Sequence, residues 1–385
     1  MLGSKRKSKE LFINISDKHH PELPVLSATQ DNGMVYRQDL DIDIKYDEES
    51  LDNYKKVSPS DFVISLRSFQ GGFEMSDKLG ITSPAYTIFN FKSPNNQYPV
   101  FWKFLFKRYD FIESLKRVTF GIRDGKAISF KQFGDTKPSF PQLKEQQLIA
   151  NILSKLDKTI TLHEEKQCQL EQLKKALLQK MFADETGYPV LRFKGFTEKW
   201  EQRKLGEIAN IVRGASPRPI KNPKWFDESS DIGWLRISDV TEQDGRVYHL
   251  NQHISKLGET KTRVLTEPHV LLSIAATVGK PLINYCKTGV HDGFLIFQKP
   301  HFNLEFMFQW LTSFEDKWKK YSQPGSQVNL NSDIVKNQNI AIPSIEEQEK
   351  IGQLFQSLDR TITLHDKKIQ YLKQLKRGLL QKMFV

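Results

Sequence analysis

One feature restricts the fold more than any other: part of the chain is written twice. Pro141-Gln-Leu-Lys-Glu-Gln-Gln and Pro343-Ser-Ile-Glu-Glu-Gln-Glu open two segments at a constant offset of 202 residues. The offset holds without a gap through Leu156-Asp-Lys-Thr-Ile-Thr-Leu-His163 against Leu358-Asp-Arg-Thr-Ile-Thr-Leu-His365. It ends at Leu177-Leu-Gln-Lys-Met-Phe182 against Leu379-Leu-Gln-Lys-Met-Phe384, and roughly half of the aligned positions are identical. Internal repetition on this scale points to two copies of one structural unit.

Each copy is almost free of Gly and Pro and reads as one long helix. Leu156, Ile160, His163, Gln167, Leu170, Leu173, Leu177 and Met181 follow steps of three and four, as do Leu358, Ile362, His365, Ile369, Leu372, Leu375, Leu379 and Met383. That spacing draws an apolar seam suited to helix–helix packing. A helix from Glu145 to Phe182 would be about 57 Å long. Two such helices, each preceded by a globular stretch, pack most simply as an antiparallel pair about a pseudo-two-fold axis. A four-residue insertion after Thr161 would then lengthen the helix by about 6 Å while nearly preserving its seam.

The stretches before the helices differ far more than the helices do, yet they share a pattern. The first runs Val57-Ser-Pro-Ser-Asp-Phe-Val-Ile-Ser-Leu, then Gly71-Gly72, then Ser83-Pro-Ala-Tyr-Thr-Ile-Phe-Asn-Phe. The second runs Leu265-Thr-Glu-Pro-His-Val-Leu-Leu-Ser-Ile, then Gly279-Lys280, then His291-Asp-Gly-Phe-Leu-Ile-Phe-Gln. Both predict strand, Gly turn and strand, followed by a short aromatic helix at Phe101–Phe106 or Leu304–Leu311. The fold class expected is α/β (α+β). Its domains are a first domain over residues 1–140, a helix over 141–182, a linker over 183–200, a second domain over 201–342 and a second helix over 343–385.

A net charge of +11 favours polyanionic partners. Catalytic motifs are missing. Ser83-Pro-Ala-Tyr86 falls short of the Asn/Asp-Pro-Pro-aromatic motif of amino-methyltransferases, and Thr277-Val-Gly-Lys280 has only the tail of a phosphate-binding loop. No Cys/His cluster has metal spacing, so no bound metal is expected. Two scattered cysteines, Cys168 and Cys286, and the lack of a long apolar run point to a cytoplasmic chain without a membrane partner. Basic and polar loops remain. Val212-Arg-Gly-Ala-Ser-Pro-Arg-Pro-Ile-Lys-Asn-Pro-Lys-Trp225 supplies Arg213, Ser216, Arg218, Lys221 and Lys224. Lys280, Gln327 and Asn329 lie in two further loops of the second half, and Arg67, Gln70, Arg123 and Lys126 play comparable parts in the first. Small residues let backbone N–H groups approach phosphates, and Arg, Asn and Gln can fork onto base edges.

Tyr188-Pro-Val-Leu-Arg-Phe-Lys-Gly-Phe-Thr-Glu-Lys-Trp200, Arg213-Gly-Ala-Ser-Pro217, Ile232-Gly-Trp-Leu-Arg-Ile-Ser-Asp239 and Ile342-Pro-Ser-Ile-Glu-Glu-Gln348 together resemble the specificity subunits of type I restriction–modification systems. The first half has no second Leu-Arg-Phe-x-Gly-Phe copy and opens at Lys9-Glu-Leu-Phe-Ile. The resemblance implies two target-recognition domains separated by paired coiled-coil helices, each reading one half of a split, asymmetric site in double-stranded DNA. It implies a non-catalytic chain that joins two methyltransferase subunits and two motor–nuclease subunits. S-adenosylmethionine, ATP and Mg would then sit on those partners. The helices, with Leu156, Ile160, Leu170, Leu177, Leu358, Ile362, Leu372 and Leu379 on their seams, would dock the methyltransferases and fix the gap between half-sites. The alternatives are the specificity component of an enzyme that cuts on both sides of its site, and a coiled-coil interaction protein that binds no DNA.

Overall fold

The computed structural model describes residues 4–29, 33–40, 48–65, 72–118, 128–241, 243–275, 277–321 and 330–384. The chain forms two compact units. The first comprises residues 1–163 and 367–385, and the second comprises residues 164–366.

In the first unit an antiparallel sheet takes the order Phe12–Ile15, Thr87–Phe91, Phe62–Ile64, Phe73–Met75. Its core is rich in rings. Phe12, Phe62, Phe73 and Phe89 meet Phe106 of the helix Pro99–Phe106, and Phe12 and Phe89 lie 5.2 Å apart edge to face. Offset and edge contacts of this kind add to the burial of each ring. Ser4–Lys5 pairs antiparallel with Ser139–Phe140 just before the first long helix.

The second unit repeats the scheme. Asn210–Arg213, Phe294–Gln298, Val270–Ser273 and Pro281–Asn284 follow the same spatial order in the same antiparallel sense, and Arg246–Val247 is added in parallel at the far edge. The helix Leu304–Phe314 buries Phe306, Met307 and Leu311 in the core of this unit. A separate three-stranded sheet of Gly233–Leu235, Thr288–Val290 and Arg263–Leu265 has a reduced counterpart in the first unit, where Lys55–Val57 pairs antiparallel with Gly80–Thr82 and Val25 bridges Ile81 in parallel. Glu201–Lys204 pairs with Asn339–Ile342 as Ser4–Lys5 pairs with Ser139–Phe140. The opening strand of the first half is therefore Ser4–Lys5, upstream of Lys9-Glu-Leu-Phe-Ile.

The two long helices are Leu143–Lys180 and Ile345–Lys382, and they pair antiparallel. In the first unit Ile160 buries against Ile369 and Leu372, and Asp157 bonds Lys376 at 2.5 Å. In the second, Lys174 bonds Asp359 at 2.6 Å. These are the same two residues of the repeat, exchanged between copies. Leu156 packs on the Ile160 cluster, Leu177 on the core of the second unit and Leu379 on that of the first. Leu170, Leu358 and Ile362 are half-buried. Leu173 and Leu375 instead stand 48% and 41% exposed. Two consecutive steps of three precede each of them, and at about 100° per residue each such step turns the position about 60° off the seam.

A buried glutamine joins each helix to the sheet domain before it. Gln146 accepts from the Tyr98 N–H at 2.9 Å and donates to the Pro141 carbonyl. Gln348 accepts from the Asn303 N–H at 2.9 Å and donates to the Pro343 carbonyl. Tyr98 and Asn303 both cap the short aromatic helix of their domain. These two bonds are thus repeated at both junctions, and Gln146 donates in addition to Gln97 Oε1 at 3.1 Å.

Candidate nucleic-acid interface

The Arg213–Trp225 segment leaves the edge strand Asn210–Arg213 through Gly214 and Ala215, whose N–H groups donate to Phe294 and Val290 carbonyls. A Cβ on Gly214 would lie 2.2 Å from the His291 carbonyl oxygen, so only glycine lets the two backbones approach. That approach brings the segment onto Asp292. The Ser216 hydroxyl donates to Asp292 Oδ1 at 2.8 Å and accepts from the Asp292 N–H at 3.1 Å. Arg218 donates to Asp292 Oδ2 at 2.6 Å, and Arg213 Nε donates to the Asp292 carbonyl at 2.6 Å. Three of the residues singled out in the sequence therefore converge on one acid. Arg218 remains 69% exposed while making its bond.

Burial alone would raise the Asp292 carboxyl, but the Ser216 hydroxyl, His291 and Arg218 outweigh it and hold the group below the usual carboxylate range. Next to it, burial pushes the His291 imidazole down. Asp292 opposes that shift, and Arg218 and Arg213 reinforce it. His291 Nδ1 accepts from the Gly293 N–H at 2.9 Å, which suits a neutral ring.

His291 also lines a cleft of about 840 Å³ with Trp234, Phe226, Lys221, Arg236 and His253. Arg236 lies against the buried carboxylate of Asp239 at 2.8 Å. Lys221 is exposed and makes no ion pair among the described residues. Lys224 stands 4.4 Å from the centre of the Trp225 ring, whose N–H donates to the Pro219 carbonyl. The face is cationic, with its arginines braced by carboxylates.

Lys280 is apart from this group and pairs with Glu315 at 2.6 Å. Its loop is no phosphate cradle. The Gly279 and Lys280 N–H groups already donate to Ser273, and a Cβ on Gly279 would strike the Trp318 ring. Arg67, Gln70, Arg123, Lys126, Gln327 and Asn329 lie outside the described residues. Among the described residues no group of three or more His, Cys, Asp or Glu could hold a metal ion, and no helix is long and apolar enough to cross a membrane. Cys168 and Cys286 are free thiols.

Neither Asp292 nor the Arg236–Asp239 pair is legible in the sequence. His291-Asp-Gly leads into a strand, and an acid gives no signal there until the fold places it beside the cationic segment. The same holds for a second ion network. Arg246 pairs with Glu305 at 2.6 Å and with Asp359 of the second long helix at 3.0 Å, and Gln309 donates to the same Asp359 oxygen. Arg192 forks onto the buried Glu347, which also accepts from Trp200.

These features define a class: two sheet-based domains, each feeding one of two paired helices that repeat each other. The sequence matches the model of the type I restriction modification DNA specificity domain over residues 3–172 and again over 197–374, and the chain belongs to that family. Among curated proteins it is similar to the type I restriction enzyme MjaVIII specificity subunit of Methanocaldococcus jannaschii, with 23% identity over 276 residues. That alignment covers 66% of this chain and 62% of the relative. The putative MjaX specificity subunit of the same organism is 24% identical over 208 residues, or 49% of this chain and 46% of the relative. The chain thus spans less than two thirds of these curated relatives. Among solved structures, an HsdS subunit from Thermoanaerobacter tengcongensis matches with TM-score 0.52 and 15% identity over 99% of this chain and 96% of that one. A type I S subunit from M. genitalium matches with TM-score 0.60 and 15% identity over the same shares. These likenesses show the fold.

Proposed function

We propose that the chain is the DNA-reading, non-catalytic subunit of a type I restriction–modification complex. Its readers are residues 1–140 and 201–342, each recognising one half of a bipartite, asymmetric duplex target. The helices at 141–182 and 343–385 set the gap and dock two methyltransferase subunits, with residues 183–200 as the linker. Two motor–nuclease subunits complete the assembly, and S-adenosylmethionine, ATP and Mg belong to the partners. In the second reader, Arg213, Ser216, Arg218, Lys221 and Lys224 face the DNA.

The observation that carries this reading is the pattern of what repeats. Sheet order, glutamine junction and helix ion pairs recur in both halves. The loop sequences of the two halves differ, as two readers of different half-sites require. The curated relatives are named specificity subunits, which supports the same role here.

Adenine-methylation mapping of cells with and without this chain tests it. A split motif should vanish when the chain is deleted, and the purified chain should neither methylate nor cut DNA. Methyl transfer by the pure chain, or an unchanged methylation map, refutes the reading.

A further inference from the structure

Asp292 sits where a carboxylate is least useful to a surface that only attracts phosphate. Within the Arg213–Trp225 segment Arg213, Arg218, Lys221 and Lys224 supply positive charge. A carboxylate at its centre weakens the sequence-independent attraction that such charge provides. It does something else: it anchors. Both oxygens are taken, Oδ1 by Ser216 and Oδ2 by Arg218, and the main-chain carbonyl takes Arg213. The acid is 26% exposed and Arg218 69% exposed, so the arginine, not the acid, meets a ligand. A guanidinium has five N–H donors in a fixed plane, and fixing one end orients the rest. An outward fork of this kind matches the O6 and N7 acceptors of guanine in the major groove.

The first reader lacks this anchor. By strand register, Thr87–Phe91 corresponds to Leu295–Lys299, because each pairs in turn with the matching central strand and hairpin. Asp292 then falls on Pro84, within Ser83-Pro84-Ala85-Tyr86. A bond needed to build the common fold would recur in both halves, as the Gln146 and Gln348 bonds do. This one does not.

We propose that Asp292 is a positioning residue for base readout: it orients Arg218, with Arg213 and Ser216 beside it, so that Arg218 reads a guanine in the second half-site. The inference rests on the DNA-reading role proposed above.

The test is selection of the full chain, assembled with its methyltransferase partner, on a random duplex library. Affinities then follow for the selected duplex and for each single base-pair change. Wild type should favour one G·C pair by about tenfold, the scale of a bidentate arginine contact. Asp292→Asn and Arg218→Lys should each reduce the preference at that pair to within about twofold and leave the other pairs unchanged. Asp292→Asn should hold or raise affinity for unrelated duplex, because a negative charge is lost. The double variant should lose no more than either single one. Retention of the guanine preference in Asp292→Asn overturns the inference. So does uniform weakening on all duplexes with the preference intact, which marks a phosphate contact. Arg218 is exposed, so Arg218→Lys keeps the test open if Asp292→Asn fails to fold, and a preserved preference in Arg218→Lys is also fatal. If wild type itself enriches no motif, the DNA-reading role falls and takes the inference with it. If wild type enriches a motif that both variants share, only the inference falls.

Discussion

Gln348 is buried, and both ends of its amide are in use. Leucine would keep much of its volume but leave the Asn303 N–H and the buried Pro343 carbonyl without partners. An unsatisfied buried group costs about 1–3 kcal/mol, so Gln348→Leu should destabilise the second unit by about that much, and Gln146→Leu the first. Chemical denaturation of both variants checks this; a change within about 0.5 kcal/mol, the usual range for surface substitutions, contradicts it. His291 offers a test with pH. Its imidazole is held below the ordinary value of 6.5 by burial, with Arg218 and Arg213 adding to the effect against Asp292. The unfolded ring therefore binds a proton more readily than the folded one, and acid favours unfolding. The stability tied to the neutral ring is present above about pH 6.5 and falls away as the pH drops below it. Calorimetry above and below that point should show wild type losing more stability on acidification than His291→Gln. Equal losses would contradict the assignment.

At the scale of elements, Asp157 and Asp359 hold the same position in the repeat, but their surroundings differ. Asp157 meets Lys376 with both side chains about one-third exposed. Asp359 meets Lys174 and also Arg246 and Gln309, and the Arg246 side chain is only 9% exposed. An exposed pair contributes about 0.2–1 kcal/mol, whereas removing one partner of a buried pair costs about 3–5 kcal/mol. Asp359→Ala should therefore destabilise several-fold more than Asp157→Ala in denaturant titrations. Equal effects would show that Arg246 does not depend on the helix carboxylate. The same contrast marks what the sequence could reveal. The long helices, the strands on either side of the Gly turns and the aromatic helices are legible because their periods are local: Val270–Ser273 and Phe294–Gln298 stand on either side of Gly279-Lys280 as expected, and Leu304–Phe314 follows, whereas Pro281–Asn284 is a strand the sequence does not announce. The four-strand order was not legible, since pairs such as Asn210 with Gln298 join residues that share no local pattern. The Arg246–Glu305–Asp359 network and the Asp292 anchor were hidden for the same reason. Leu173 and Leu375 keep the spacing of three and four yet leave the seam, because two successive steps of three accumulate rotation.

For the whole molecule, the mirrored ion pairs change what a helix insertion must look like. Asp157 and Lys174 bracket a stretch of the first helix, and Asp359 and Lys376 bracket a stretch of equal length in the second. Because the helices run antiparallel, four residues added after Thr161 alone would lengthen one bracket and not the other. One ion pair and its adjoining seam contacts would then lose register, so the single insertion expected from the sequence is insufficient. Matched four-residue insertions after Thr161 and Thr363 lengthen both brackets together. Ile160, Ile369, Leu372 and the Asp157–Lys376 pair stay on one side of the insertions, and Lys174 and Asp359 stay on the other. Four residues are slightly more than one turn, so the seam turns by only about 40°, and each helix gains about 6 Å. That is nearly two base-pair steps of about 3.4 Å. If the helices set the gap between half-sites, the double insertion should retain both half-site sequences and widen the gap by about one or two base pairs, each at that same rise. The single insertion should impair assembly. Methylation mapping of cells carrying each variant reads both outcomes. An active double-insertion complex with an unchanged gap would show that the helices do not set the spacing.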